Sequence, residues 1–264
     1  MAFWDILDYM HGMLTARARR PIPPPSPRIE IVLGDGSVPV ALKRVSHSQR
    51  FTLRVRAATR DVVLSMPAYS SLRSAREFAE RNADWIQARL ATLPRPVSFE
   101  PRSVVPLRGV EHHIVHCPET RGVVWTEYPA SGPQICVAGE RPHVSRRVAD
   151  FLKREAKKDL EAAVRKHTRR IEVVAQRIVL RDTKSRWGSC SSAGTLNFSW
   201  RLVMAPAYVL DYLAAHEVAH IVHMDHSPQF WKVTHKLCAR TDEAEAWLKT
   251  KGADLHRFGA AKRL

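Results

Sequence analysis

The residues with the clearest chemical potential form one cluster: His216-Glu217-Val218-Ala219-His220, with His223 and His226 close behind. In a helix, residues four apart lie one turn apart on the same face. Both imidazoles of the H-E-x-x-H sequence can then reach one ion while Glu217 projects beside them. A catalytic zinc typically takes three protein ligands and leaves a fourth position for water, whose pKa falls from about 15.7 to about 7. A carboxylate at that position can accept the proton and later pass it to a leaving amine. The pattern therefore predicts Zn2+-dependent hydrolysis of peptide bonds with Glu217 as general base.

Five residues are few enough to match by chance, as a helix with two surface histidines and a solvated glutamate. Three features weigh against that: the helix is apolar around the motif, its start is marked by Pro206, and a third histidine follows. His223 stands seven residues after His216, about 10 Å further along a straight helix at ~1.5 Å per residue, too far to share the ion comfortably. His226 stands ten residues after His216, beyond Met224-Asp225, where the helix can end and the chain fold back. The expected metal ligands are His216, His220 and His226. This spacing is also that of the metzincins, but His223 occupies their glycine position and no methionine follows Met224, so the chain is not expected to be one.

The elements that must hold this cluster can be read from periodicity. Pro206 opens the helix at a position that tolerates proline, and Leu210, Leu213, Ala214, Val218 and Ile221 continue it. Before it, residues 177–181 and 196–202 alternate as strands, with the turn-rich 185–191 between them. Residues 145–170 form a long basic amphipathic helix whose apolar side carries Val148, Phe151, Leu152, Ala156, Leu160 and Val164. Further upstream, residues 29–67 look like an antiparallel β-meander with one wet face, 71–90 take helical spacing with Ser71 as N-cap, and 104–137 are strand-rich. The expected fold class is α+β: a β-rich N-terminal region, then a C-terminal domain with the H-E-x-x-H helix packed on a small sheet. The expected division is a leader and proline-rich linker over 1–27, a β-rich region with one helix over 28–140, and the peptidase-like domain over 141–264.

A linked series of motifs resembles the YgjP-like metallopeptidases, which are related more distantly to SprT-type zinc proteases. It runs Arg186-Trp187-Gly188-Ser189-Cys190-Ser191, Leu196-Asn197-Phe198-Ser199-Trp200-Arg201-Leu202, then Pro206. It continues through Asp211-Tyr212-Leu213-Ala214-Ala215-His216-Glu217-Val218-Ala219-His220 and His226-Ser227-Pro228-Gln229-Phe230-Trp231. Ala83-Asp84-Trp85-Ile86 and the strands before it are similar to the family's front half. The resemblance implies a zincin-like C-terminal domain and a zinc peptidase with the ion on His216, His220 and His226. It also implies that the strand before the active-site helix, residues 196–202, offers its backbone to an extended peptide. The alternative is an interior sheet strand whose core face carries Phe198, Trp200 and Leu202, and the two are compatible because pairing uses the backbone and packing the side chains.

At 264 residues and 45% hydrophobic content, the chain can bury one sizeable core or two small ones. Its formal net charge of +16 favours anionic partners. Cations are dense along Arg146, Arg147, Lys153, Arg154, Lys157, Lys158, Arg165, Lys166, Arg169 and Arg170. An alternative reading is therefore a nucleic-acid-associated protein whose zinc centre is structural or acts only on DNA-bound proteins, although no nucleic-acid fold motif accompanies the charge. A structural zinc site would normally be closed by four protein ligands, against three here. Cys117, Cys136, Cys190 and Cys238 lie far apart without a CxxC pair, which suits reduced thiols in a cytoplasm. Two aspartates interrupt the apolar N-terminus, the basic residues follow it, and no apolar run approaches the ~20 residues of a membrane helix. A cytoplasmic protein without a membrane span is expected. Cys190 is expected to act as a small apolar residue, Trp187 and Gly188 to shape a turn against the active-site helix, and Trp231 to pack. His112, His113 and His116 are expected at the surface.

Overall fold

A computed structural model describes residues 27–259 apart from 35, 57–59 and 185. The leader and proline-rich linker expected over 1–27 lie outside the described residues, except for Pro27.

Four strands come first: β1 (Arg28–Leu33), β2 (Gly36–Val45), β3 (Thr52–Arg56) and β4 (Asp61–Pro67), in the order β1-β2-β4-β3. β1 and β3 run antiparallel to their neighbours, but β2 and β4 are parallel, which corrects the expected meander. Composition explains the order. β4 carries Val62, Val63, Leu64 and Met66, all buried, so it takes an interior position, whereas β3 alternates with Arg54 and Arg56 and suits an edge. Helices α1 (Leu72–Arg81) and α2 (Ala83–Ala91) pack Ala75, Ala79 and Ile86 on Ile31, Leu42, Leu64 and Met66. The single expected helix is thus two, parted at Asn82, and Ser71 caps the first by accepting from the Ser74 amide at 3.0 Å.

A second sheet, β5 (Val104–Leu107), β6 (Val110–Cys117), β7 (Val124–Glu127) and β8 (Gln134–Ala138), takes the order β5-β6-β8-β7. Its apolar residues share one core with α3 (Val144–Arg170) and with the helices that follow, not with the first sheet. α3 buries Val148, Phe151, Leu152, Ala156, Leu160 and Val164, the stripe expected from its period.

The third sheet, β9 (Arg177–Arg181), β10 (Gly188–Cys190) and β11 (Thr195–Ser199), has the order β10-β11-β9. β11 is its middle strand, parallel to β9 and antiparallel to β10, so the expected free edge is not on 196–202. The strand also stops at Ser199. Trp200–Met204 winds into a 3-10 turn whose five residues are all buried, because the chain must swing from the sheet into the next helix. Arg201 secures this turn, donating to the Leu255 and Phe258 carbonyls and pairing with Asp182 at 2.7 Å.

Helices α4 (Ala207–Ala219), α5 (Pro228–Leu237) and α6 (Thr241–Lys251) complete the α+β fold. α4 is apolar nearly all round, and most of its residues are buried. It touches β10 on one side and α3 on another. Buried His167 of α3 meets Asp211 of α4 at 2.9 Å, and Lys166 reaches the same carboxylate at 3.0 Å. No helix among the described residues is long and apolar enough to cross a membrane.

Candidate metal centre

His216 and His220 both stand on the last turn of α4, where the helix closes. His220 is the C-cap residue, and the amides of Ile221 and Val222 bond back three residues, tightening the end into a 3-10 turn. The chain then reverses. Asp225 Oδ1 accepts from the Ser227 amide at 3.2 Å, and Ser227 caps α5 by accepting from the Phe230 amide, with Pro228 in the first turn. His226 sits inside this double turn and is carried back over His216. The helix ends earlier than Met224-Asp225, but the fold-back is the one the spacing predicts.

The three expected histidines come together: one ring nitrogen from each of His216, His220 and His226 lies within 4.8 Å of the others. Bonds of ~2.0–2.1 Å at tetrahedral angles place ligand nitrogens about 3.3 Å apart. The Nε2 atoms of His216 and His226 are 3.3 Å apart. His223 is not part of that group. Its backbone carbonyl instead lies 3.0 Å from His220 Nδ1, which must donate to it, leaving Nε2 of His220 without a hydrogen. Phe230, fully buried, floors the group: its ring stacks on His220 at 4.4 Å and meets the edges of His216 and His226 at 4.9 and 4.8 Å.

Glu217 is 3% exposed, and its Oε2 has no hydrogen-bond partner within the protein. A buried carboxylate oxygen left open in this way implies a partner from outside the chain, water or a cation. Burial pushes Glu217 up to about 8 from 4.5, and the positive charge of Arg186 opposes the rise. Burial, and then repulsion from His220 and His226, pushes His216 down to about 4, so its ring is neutral at pH 7, the form that binds a metal. Burial first, then His226, also lowers His220, against the pull of the His223 carbonyl and Asp225. Three converging imidazoles, with an unpartnered buried carboxyl oxygen on the adjacent residue, fit a divalent cation.

Other expected residues fall as follows. Gly188 lies directly against the Glu217 side chain. Trp187 stacks on His256 at 4.9 Å. Cys190 is half-buried; burial and then Glu217 raise its thiol above the ordinary range. Trp231 is half-buried with its ring 6.0 Å from those of His216 and His226. On β6, His113 is exposed and His116 half-buried, but His112 is 2% exposed, with Nδ1 2.8 Å from the Val110 carbonyl and its ring edge-on to Tyr128. Its surface placement is therefore corrected: the alternation of β6 turns it inward. Two neighbours of the centre carried no sequence expectation of their own. Tyr212 precedes His216 by one helical turn, a spacing that could have revealed it, whereas Glu245 arrives from α6 and no local pattern points to it.

No curated protein matches this chain. The chain is similar to the crystal structure of the metallopeptidase zymogen abylysin of Pyrococcus abyssi, with 21% identity and a TM-score of 0.33 over 35% of this chain and 93% of that one. A likeness of that size carries no argument. The family comparison is decisive: residues 49–251, well over half the chain, match the model described as YgjP-like, metallopeptidase domain. The histidine cluster lies inside that span, and the chain belongs to the YgjP-like metallopeptidase family.

Proposed function

We propose that the chain is a zinc peptidase in which His216, His220 and His226 hold the ion and Glu217 is the general base. The observation that carries this reading is the convergence of three imidazoles, with the buried Glu217 next to His216 on the same helix and one of its oxygens unpartnered. When bound, zinc supplies Lewis acidity, which brings the pKa of coordinated water to about 7. The positive charge of a bound zinc would favour the ionised form of Glu217, and that carboxylate would take a proton from the attacking water and return it to the departing amine.

The edge strand β10 is the place for the substrate backbone. Trp187 accepts from the Ser199 amide, the Ser191 amide donates to Thr195, and Ser189 is in register with Asn197, so these three turn toward β11. Antiparallel alternation turns the N–H and C=O groups of Gly188 and Cys190 the other way, toward an edge that no described strand covers. An extended peptide pairing there would run beside Glu217.

The test is zinc titration with digestion of a peptide library by the wild type and Glu217→Gln. The amide keeps the shape but cannot accept a proton. The variant should bind about one zinc per chain, as the wild type does, and lose roughly 100- to 10,000-fold in kcat. Full hydrolysis by the variant, or a wild type without zinc, would overturn the assignment.

A second reading, sequence-independent binding of nucleic acid, is favoured by the outer face of α3, where Lys153, Arg154, Lys157, Lys158, Arg165, Lys166 and Arg169 are exposed. Phosphate neutralisation needs only such a stripe. It would add a partner without altering the centre.

A further inference from the structure

We infer that Tyr212 and Glu245 form a positioning relay that fixes His216 in the tautomer whose Nε2 faces the metal position. The inference rests on the zinc reading above and adds two residues outside the ligand set. The Tyr212 hydroxyl lies 3.3 Å from His216 Nδ1 and 3.1 Å from Glu245 Oε1. Tyr212 is 3% exposed, its ring edge-on to His216 at 5.7 Å. The phenol therefore has little room to turn elsewhere.

The direction of each hydrogen bond follows from its far end. A carboxylate only accepts, so the single phenolic hydrogen goes to Glu245. The phenol oxygen then offers His216 nothing but lone pairs, and Nδ1 must supply the hydrogen. A neutral imidazole carries one N–H, so Nε2 is left bare, and Nε2 is the atom 3.3 Å from His226 Nε2. Lys249 engages the other oxygen of Glu245 at 3.4 Å, which leaves Oε1 for the phenol. His220 reaches the same tautomer through a separate acceptor, the His223 carbonyl. In this way α6, which supplies no ligand, sets the orientation of one.

Losing the outer partner of a ligating histidine typically costs about 10- to 100-fold in metal affinity. Tyr212→Phe, which keeps the ring and removes the hydroxyl, should weaken zinc binding by that amount in a competition titration against a chelator. Glu245→Ala should weaken it too, although Glu245 does not touch His216, because the freed phenol hydrogen can turn to Nδ1 and favour the wrong tautomer. With the hydroxyl gone, Glu245 has nothing to pass on, so the double variant should be no weaker than Tyr212→Phe alone. Loss of packing would not produce that non-additivity. Nitrogen-15 spectra of the metal-free protein give a readout independent of zinc: His216 should carry its hydrogen on Nδ1 in the wild type and shift toward the Nε2–H form in both single variants.

Circular dichroism and melting check that the variants fold. Equal zinc affinity in the wild type and Tyr212→Phe, with His216→Ala unable to bind, would reject the relay and leave the zinc reading intact. Additive losses with an unchanged His216 tautomer would also reject it. A wild type that binds no zinc would remove both.

Discussion

Gly188 and Glu217 are packed so closely that a Cβ on Gly188 would meet the Glu217 carboxyl carbon at 2.8 Å and its Cγ at 2.9 Å. The edge strand and the proposed base are thereby fixed to one another, since only a hydrogen at position 188 leaves the carboxylate where it stands. Gly188 is not in the left-handed region, so alanine there would be opposed by this contact and not by backbone strain. Gly188→Ala should displace Glu217 by a fraction of an ångström to an ångström, enough to lower kcat by about 100-fold. Zinc content should stay at the wild-type level. Steady-state kinetics beside metal analysis check this, and unchanged kcat would mean that the carboxylate has room to move.

The two histidines after the H-E-x-x-H sequence should separate cleanly in metal binding. His226→Ala removes a ring that lies 3.3 Å from His216 Nε2 and should weaken zinc by more than the ~10- to 100-fold typical of outer partners. His223→Ala keeps the backbone carbonyl that orients His220 and should bind zinc nearly as the wild type does. A chelator competition on both variants decides the matter; equal losses would mean that the His223 ring reaches the ion.

Stability should fall on mild acidification through His256. Its ring is buried against Trp187, and burial, followed by the charge of Arg201, pushes it down to about 4 from 6.5. Between those values the unfolded chain binds the proton and the folded one does not. The contribution is therefore whole above pH 6.5 and is lost as the pH falls toward 4. His256→Phe keeps an aromatic ring and removes the proton site. Urea midpoints at pH 7 and 4.5 should drop further in the wild type than in this variant, and parallel drops would refute the assignment.

The outer face of α3 should bind duplex DNA without sequence preference, with affinity falling steeply as salt rises. Arg146, Lys153, Lys157 and Lys166 already take part in ion pairs, so the reversal Lys158→Glu, Arg165→Glu and Arg169→Glu is the sharper probe. It should abolish DNA binding while short-peptide cleavage continues. An anisotropy titration without binding at low salt would leave the charge as a solvated face.

The sequence by itself determined the parts of the site that depend on near neighbours. Four residues are one helical turn, so His216 and His220 share a face in any helix, and the turn residues Asp225, Ser227 and Pro228 are enough to bring His226 back. The apolar stripe of α3 and the cap at Ser71 were legible for the same reason: period and capping are local. What depends on distant contacts was decided only by the tertiary structure. β11 became an interior strand because β9 and β10 pair on both its sides, which moved the open edge to Gly188 and Cys190. β4 slid between β2 and β3 because its buried run is the most apolar of the four, a competition among strands that no single strand's alternation records. The strands from Val104 to Ala138 joined the core of α3, and Glu245 reached Tyr212 from 33 residues away. Side-chain period says which face is apolar; it does not say which partner covers that face, because any apolar surface of matching shape lowers the free energy alike.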